Sequence, residues 1–146
     1  MAKRAVITTK EFLKAAALPT YEGDTYTVIP HEFVINETLK NLGAQGFSIK
    51  HELYRCNENA NIAQGIYHLD YSNDPDMGMM FAWSNSYDKS MRFKCATGGY
   101  VFICSNGVVR GDMGSWGRKH TGSADQETID TIQDQIGKAK QYYRQL

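Results

Sequence analysis

From residue 47 onward the chain alternates: Phe47, Ile49 and Leu53 are apolar, while Ser48, Lys50 and Glu52 are polar. A period of two predicts a strand with one buried and one wet face. Residues 57–61 supply a turn, and a second strand is expected over 62–71. Residues 72–76 turn the chain again, because their side chains bond locally and Pro75 fixes its own φ. Residues 77–83 then return as a third strand. After a polar connection over 84–90, Met91, Phe93 and Cys95 alternate with Arg92 and Lys94, which predicts a strand with a basic face. A hairpin turn is expected at 96–99. Residues 100–105 are apolar at nearly every position and read as a central strand packed on both sides. Asn106-Gly107 is a turn signal that leads into a short strand at 108–110.

Helical periodicity brackets this sheet. Residues 10–17 give two turns before Leu18-Pro19, and 21–24 read as a connector. A short strand at 26–29 closes at Pro30. Ile35, Leu39 and Leu42 then mark one face of a helix over about 31–42, ended by Gly43 and Gly46. The last helix is the clearest element. Ser123 precedes Gln126 by three positions, a capping-box pattern, and Ile129, Ile132, Ile136, Ala139, Tyr143 and Leu146 follow spacings of three and four. Its acidic first half and basic second half complement the helix dipole. This stripe either covers the chain's own sheet or forms a homo-oligomer seam through Ile129, Ile132, Ile136 and Tyr143. The glycine-rich segment 111–122, which carries Trp116, reads as an ordered loop or a lid. The fold class is α+β: a single, largely antiparallel β-sheet with flanking helices and a C-terminal amphipathic helix. Residues 1–24 form an N-terminal arm, short helix and connector, and residues 25–146 a single α+β domain.

Composition narrows the function classes. The chain has 146 residues and 42% apolar residues, enough for a core without metal or disulfides. No stretch approaches the apolar length of a membrane span, and no secretory signal pattern opens the chain. Cys56, Cys95 and Cys104 are odd in number and lack CxxC spacing, which fits a reduced, cytoplasmic setting. Phosphate-loop, dinucleotide, HExxH and serine-hydrolase motifs are absent, so binding is favoured over catalysis and no catalytic residue is assigned. Cys104 and His120 offer a nucleophile and base pairing, with Asp88 or Asp112 to orient the imidazole, but Cys104 is more naturally a core residue. Residues 70–76 alternate oxygen-bearing side chains, but Pro75 and Phe81 stand where a calcium loop needs Gly and Glu. No metal or cofactor is expected.

Sixteen Lys and Arg balance sixteen Asp and Glu, so polyanion binding requires cations gathered on one face. Between Asp88 and His120 lie Lys89, Arg92, Lys94, Arg110, Arg118 and Lys119 against Asp88 and Asp112, a local formal charge of +4. Arg92, Lys94, Arg110, Arg118, Lys119 and His120 are the candidate phosphate contacts, with Tyr87 and Trp116 for base stacking. The alternative is that these charges only solubilise a sheet face or pair with the acidic start of the last helix. Trp116 either caps the core or stands at a ligand entrance. His31, His51 and His68 are dispersed and read as structural or surface residues.

The segment Trp83-Ser84-Asn85-Ser86-Tyr87-Asp88-Lys89-Ser90, then Cys104-Ser105-Asn106-Gly107 and His120-Thr121-Gly122, resembles the phage/plasmid-like proteins of domain of unknown function 932. The likeness covers roughly residues 26–122; the final helix lies beyond it, and the chain is shorter than many members. The resemblance implies a gene of phage or mobile elements expressed in bacterial cytoplasm, with links to replication, recombination or conflict with host defence. It carries over no catalytic residue. The matching Asn85, Ser86, Asp88, Ser90, Asn106 and Gly107 either build turns or meet His120 in a small pocket for phosphate or a base edge. The expected function is therefore non-enzymatic binding of single-stranded DNA or RNA by a phage or mobile-element accessory protein. The alternative is an anti-defence protein that binds a host defence protein or a signalling nucleotide.

Overall fold

The computed structural model describes residues 6–16, 29–57, 60–71, 74–87, 93–98, 101–103, 109–111, 115–118 and 124–145, with residues 71, 74–78, 101–103, 109–111, 115–118, 124, 125, 127 and 139–145 given by backbone alone. Its strands are β1 (Val6–Thr8), β2 (Phe47–Cys56), β3 (Ile62–Tyr71), β4 (Asp74–Ser86), β5 (Phe93–Gly98), β6 (Val101–Ile103), β7 (Val109–Gly111) and β8 (Ser115–Arg118). The helices are α1 (Lys10–Ala15), α2 (His31–Ala44) and α3 (Ala124–Gln145). Six strands form one sheet in the order β1-β2-β3-β4-β5-β8, with every neighbouring pair antiparallel, and β6 and β7 pair separately. The α+β class holds.

Short connections explain the topology, since hairpins join β2 to β3 and β3 to β4 without a crossover. One face of the sheet carries Phe47, Tyr54, Cys56, Ala63, Tyr67, Leu69, Met79, Phe81, Trp83, Phe93 and Cys95. These form a single buried cluster with Leu13 of α1, Val34, Ile35 and Leu42 of α2, and Ile132 and Ile136 of α3. The helices begin as their sequences require. Thr9 accepts the Phe12 N–H with its hydroxyl at 3.1 Å and caps α1. Pro30, at the α2 N-cap, has no side chain to do this, and the Tyr87 hydroxyl accepts the His31 N–H instead, at 2.8 Å.

Four expectations change, and one open alternative closes. Residues 6–16 are not an arm outside the domain: β1 pairs with β2, and Leu13 is buried in the core. The described part of the apolar run expected at 100–105 is not central, because β6 (Val101–Ile103) belongs to the two-stranded sheet that lies against β4 and β5. Residues 96–98 continue β5 rather than turning, and the glycine-rich segment contributes β8, which pairs with β5. Finally, Ile132 and Ile136 are 0% exposed within a single chain. The stripe of α3 thus covers its own sheet, and these two positions are closed to a second copy. Tyr143 lies outside the described side chains.

The central pair β3–β4 depends on a missing side chain. Gly65 stands opposite Trp83, and a Cβ at Gly65 would lie 2.5 Å from the indole Nε1. The glycine lets the indole lie flat against the backbone of β3. Gly65→Ala is therefore expected to lower folding stability by about 1–3 kcal/mol, measured by urea unfolding. An unchanged midpoint would show that the indole does not occupy this space.

Candidate functional site

A register shift between Ile49 and His51 governs both faces of β2. Ile49 pairs with Leu69 and His51 with His68, leaving Lys50 as the extra residue of a β-bulge. Strict alternation would keep Leu53 with Phe47 and Ile49. The bulge instead moves Leu53 to the outer face, away from the helices, where it packs with Ile66, Ala82, Ala96 and Met80. It turns Glu52, expected on the wet face, toward the helix side beside Tyr54.

Pairing across β2, β3, β4 and β5 then lays out three rows on the outer face. The first is Arg55, Gln64, Ser84 and Lys94; the second is Leu53, Ile66, Ala82 and Ala96; the third is His51, His68, Met80 and Gly98. The Gln64 side-chain oxygen accepts from Arg55 Nε at 3.1 Å and from an Arg55 terminal nitrogen at 2.7 Å, which fixes the guanidinium. Lys50 pairs with Asp70 at 2.9 Å. Over β4 and β5, Ala82, Ser84 and Ala96 are buried, and the β6–β7 hairpin lies against those two strands. Toward β2 and β3 the face opens, with Lys50, His51 and His68 exposed.

The helix face holds two polar systems inside the apolar core. In the first, the Trp83 indole donates to Tyr67 Oη at 3.0 Å, the Tyr67 and Tyr54 hydroxyls lie 3.1 Å apart, and Tyr54 donates to Glu52 Oε1 at 2.9 Å. Lys10 closes the chain at the surface, 3.2 Å from the same carboxylate oxygen. A cleft of about 420 Å³, lined by Thr8, Lys10, Glu52 and Tyr54 among others, opens there. In the second system the His31 ring, stacked on Tyr87 with centroids 4.0 Å apart, sits 2.6 Å from the Ala60 carbonyl through Nε2. A carbonyl only accepts, so Nε2 carries the proton and Nδ1 accepts from Asn85 Nδ2 at 3.0 Å. Asn85 Nδ2 also donates to the Ile29 carbonyl at 2.7 Å. Ala60 supplies its carbonyl from a left-handed backbone, φ 55°, in the turn between β2 and β3. Three chain segments thus meet at one imidazole.

These contacts relocate several expected site residues. Tyr87 is 2% exposed and used by His31, so it offers no face for base stacking. Asn85 and Ser86 end β4 and are buried, rather than forming a polar turn, and Asn85 is turned toward Ile29 and His31. Lys94 lies on the outer face and Arg118 in β8, but the register pairs Lys94 with Gly117 and Arg118 with Phe93. Positions 94 and 118 therefore have opposite pleat parity and do not form one strip. Arg110 lies in β7, in the other sheet. Trp116 pairs with Cys95 in β8, with only its backbone described. Arg92, Lys119, His120, Asp88, Ser90, Asn106, Gly107 and Cys104 lie outside the described residues. The sequence reading missed Lys50, His51, Arg55 and His68 as one surface, because only the bulge brings them to one face.

Among the described residues no three His, Cys, Asp or Glu side chains converge to hold a metal, and no helix is long and apolar enough to cross a membrane. Comparison with family models, curated proteins and solved structures returns no match for this chain. The likeness to domain of unknown function 932 rests on the quoted residues alone.

Burial sets the titration of the polar core. Tyr54 and Tyr67 are held well above the usual phenol range, chiefly by desolvation, and the neighbouring hydroxyl and Glu52 raise Tyr54 further. Burial also raises Tyr87. A folded-state pKa raised above the unfolded value of about 10 leaves stability intact below that pH and removes it as pH rises beyond. In an alkaline titration these three phenols are expected to ionise together with unfolding, as read by phenolate absorbance and circular dichroism. Ionisation of all nine tyrosines near the ordinary value, with the fold intact, would contradict the buried network.

Proposed function

We propose that the chain is a non-enzymatic binding protein for single-stranded nucleic acid, using the outer face of the sheet at β2 and β3 rather than a strip running through Arg110 and Arg118. The observation that carries this reading is the gathering of Lys50, His51, Arg55 and His68 on one face while the bulge turns Glu52 to the other. Lys94 lies at the far end of the Arg55 row. Lysine and arginine supply phosphate contacts whose strength comes from counterion release. Exposed imidazoles offer flat faces to unstacked bases, and the half-buried Leu53 and Met80 add apolar surface beside them. Such a surface reads no base edge, so it binds with little sequence preference.

Binding of a labelled oligothymidylate, followed by fluorescence anisotropy, is expected to weaken with salt by about 0.7 log units per phosphate contact for each tenfold rise. Replacing Lys50, Arg55 and Lys94 together by alanine is expected to flatten that dependence by about two contacts' worth and to weaken binding at least roughly tenfold at low salt. Unchanged affinity and slope in a folded triple variant would overturn the reading.

A further inference from the structure

The third row of the outer face has a chemistry that phosphate binding does not use. His51 and His68 are directly paired across β2 and β3, both exposed, with ring centroids 5.9 Å apart and planes inclined at 61°. The rings meet edge to face rather than in a parallel stack. His68 pairs in turn with Met80, whose side chain packs on the same face. The two imidazoles thus stand side by side on neighbouring strands, with Met80 at the next register position.

We propose that His51 and His68 form a two-imidazole chelate for a borderline transition-metal ion, with Cu2+ the divalent ion it takes most strongly. With metal–nitrogen distances of about 2.0–2.1 Å, two imidazoles sharing one ion hold their ring centres on the order of 5–6.5 Å apart. The observed 5.9 Å already lies in that range, so the rings need to rotate but the strands need not move. Neighbouring strands fix the two Cα positions, and the chelate therefore forms without ordering any loop. Imidazole suits copper, nickel and zinc, and among divalent ions the affinity of such a site is greatest for copper. Imidazole nitrogen is a donor that magnesium and calcium do not use, which sets them apart from the ions this pair takes. Water completes the coordination on the open side.

The bulge is what makes the pair. In an unbroken ladder that kept Lys50 in register, His68 would face Lys50 and His51 would point to the helix side. Bulges commonly re-aim side chains beside functional sites, and here the re-aimed side chain is an imidazole placed opposite another. The chelate does not rest on nucleic-acid binding and is tested on the protein alone; a bound ion and a stacked base would compete for the same rings.

The test is a titration of the full chain with Cu2+ in a non-coordinating buffer, followed by calorimetry and electron paramagnetic resonance. The expected result is one strong equivalent whose hyperfine pattern reports two imidazole nitrogens. Single His51→Ala and His68→Ala variants are each expected to lose at least tenfold in affinity, because either change destroys the chelate. Nickel and zinc are expected to bind the wild-type protein more weakly than copper. Both positions are exposed, and circular dichroism checks that the variants fold. A second readout needs no variant: on the wild-type protein, substoichiometric Cu2+ is expected to broaden the His51 and His68 imidazole signals first. Variants that keep wild-type affinity, or broadening centred on other residues, would overturn the proposal.

Discussion

The extra residue at Lys50 is the constraint on which the surface chemistry depends. A strand has a period of two, so one inserted residue exchanges the faces of everything beyond it. Before the bulge, Phe47 and Ile49 contribute to the core beneath the helices; after it, Tyr54 and Cys56 do so, while Leu53 is sent to the outer layer. The same shift separates charges. Glu52 reaches Lys10 and Tyr54 on the helix side, and His51 and Arg55 stand with His68 and Gln64 on the outer side. A chain with no formal net charge thereby acquires a face that gathers Lys50, Arg55 and two imidazoles, with Asp70 paired to Lys50.

The two polar systems under the helices have a different role. The chain from Trp83 through Tyr67 and Tyr54 to Glu52 gives each buried polar group a partner and leads outward to a charged surface pair. Buried polar groups without partners cost on the order of 1–3 kcal/mol each, so this sequence can place an indole and two phenols in the core only as a connected set. His31 serves connectivity: its backbone N–H, Nε2 and Nδ1 reach Tyr87, Ala60 and Asn85. Through them the start of α2 is fixed to the end of the sheet. Asn85 and Tyr87, singled out from the sequence as site or turn residues, are accounted for by this joint.

What could be read from the sequence was what periodicity and caps encode locally. The spacing of Ile129, Ile132 and Ile136 marked α3, and Ile35 with Leu42 marked α2, because a helix repeats its apolar face without reference to distant residues. The pairing of β1 with β2 left no such trace, since three residues are too few to show a period. Nor did the placement of β8 next to β5, because glycine-rich segments are equally compatible with loops. The bulge broke the inference more fundamentally. Phe47, Ile49 and Leu53 looked like one face because the eye continues a period of two across Lys50. Within the expected basic strip, pleat parity places Lys94 and Arg118 on opposite faces, and Arg110 belongs to the second sheet. Long-range register decides which charges share a face, and no local pattern reports it.

The most direct test of this account is the pattern of interstrand nuclear Overhauser effects between β2 and β3. The shifted register predicts backbone contacts of Ile49 with Leu69 and of His51 with His68, with Lys50 unpaired between them. An unbroken ladder that pairs Lys50 with His68 would return His51 and Arg55 to the helix side and contradict the surface on which both functional readings stand.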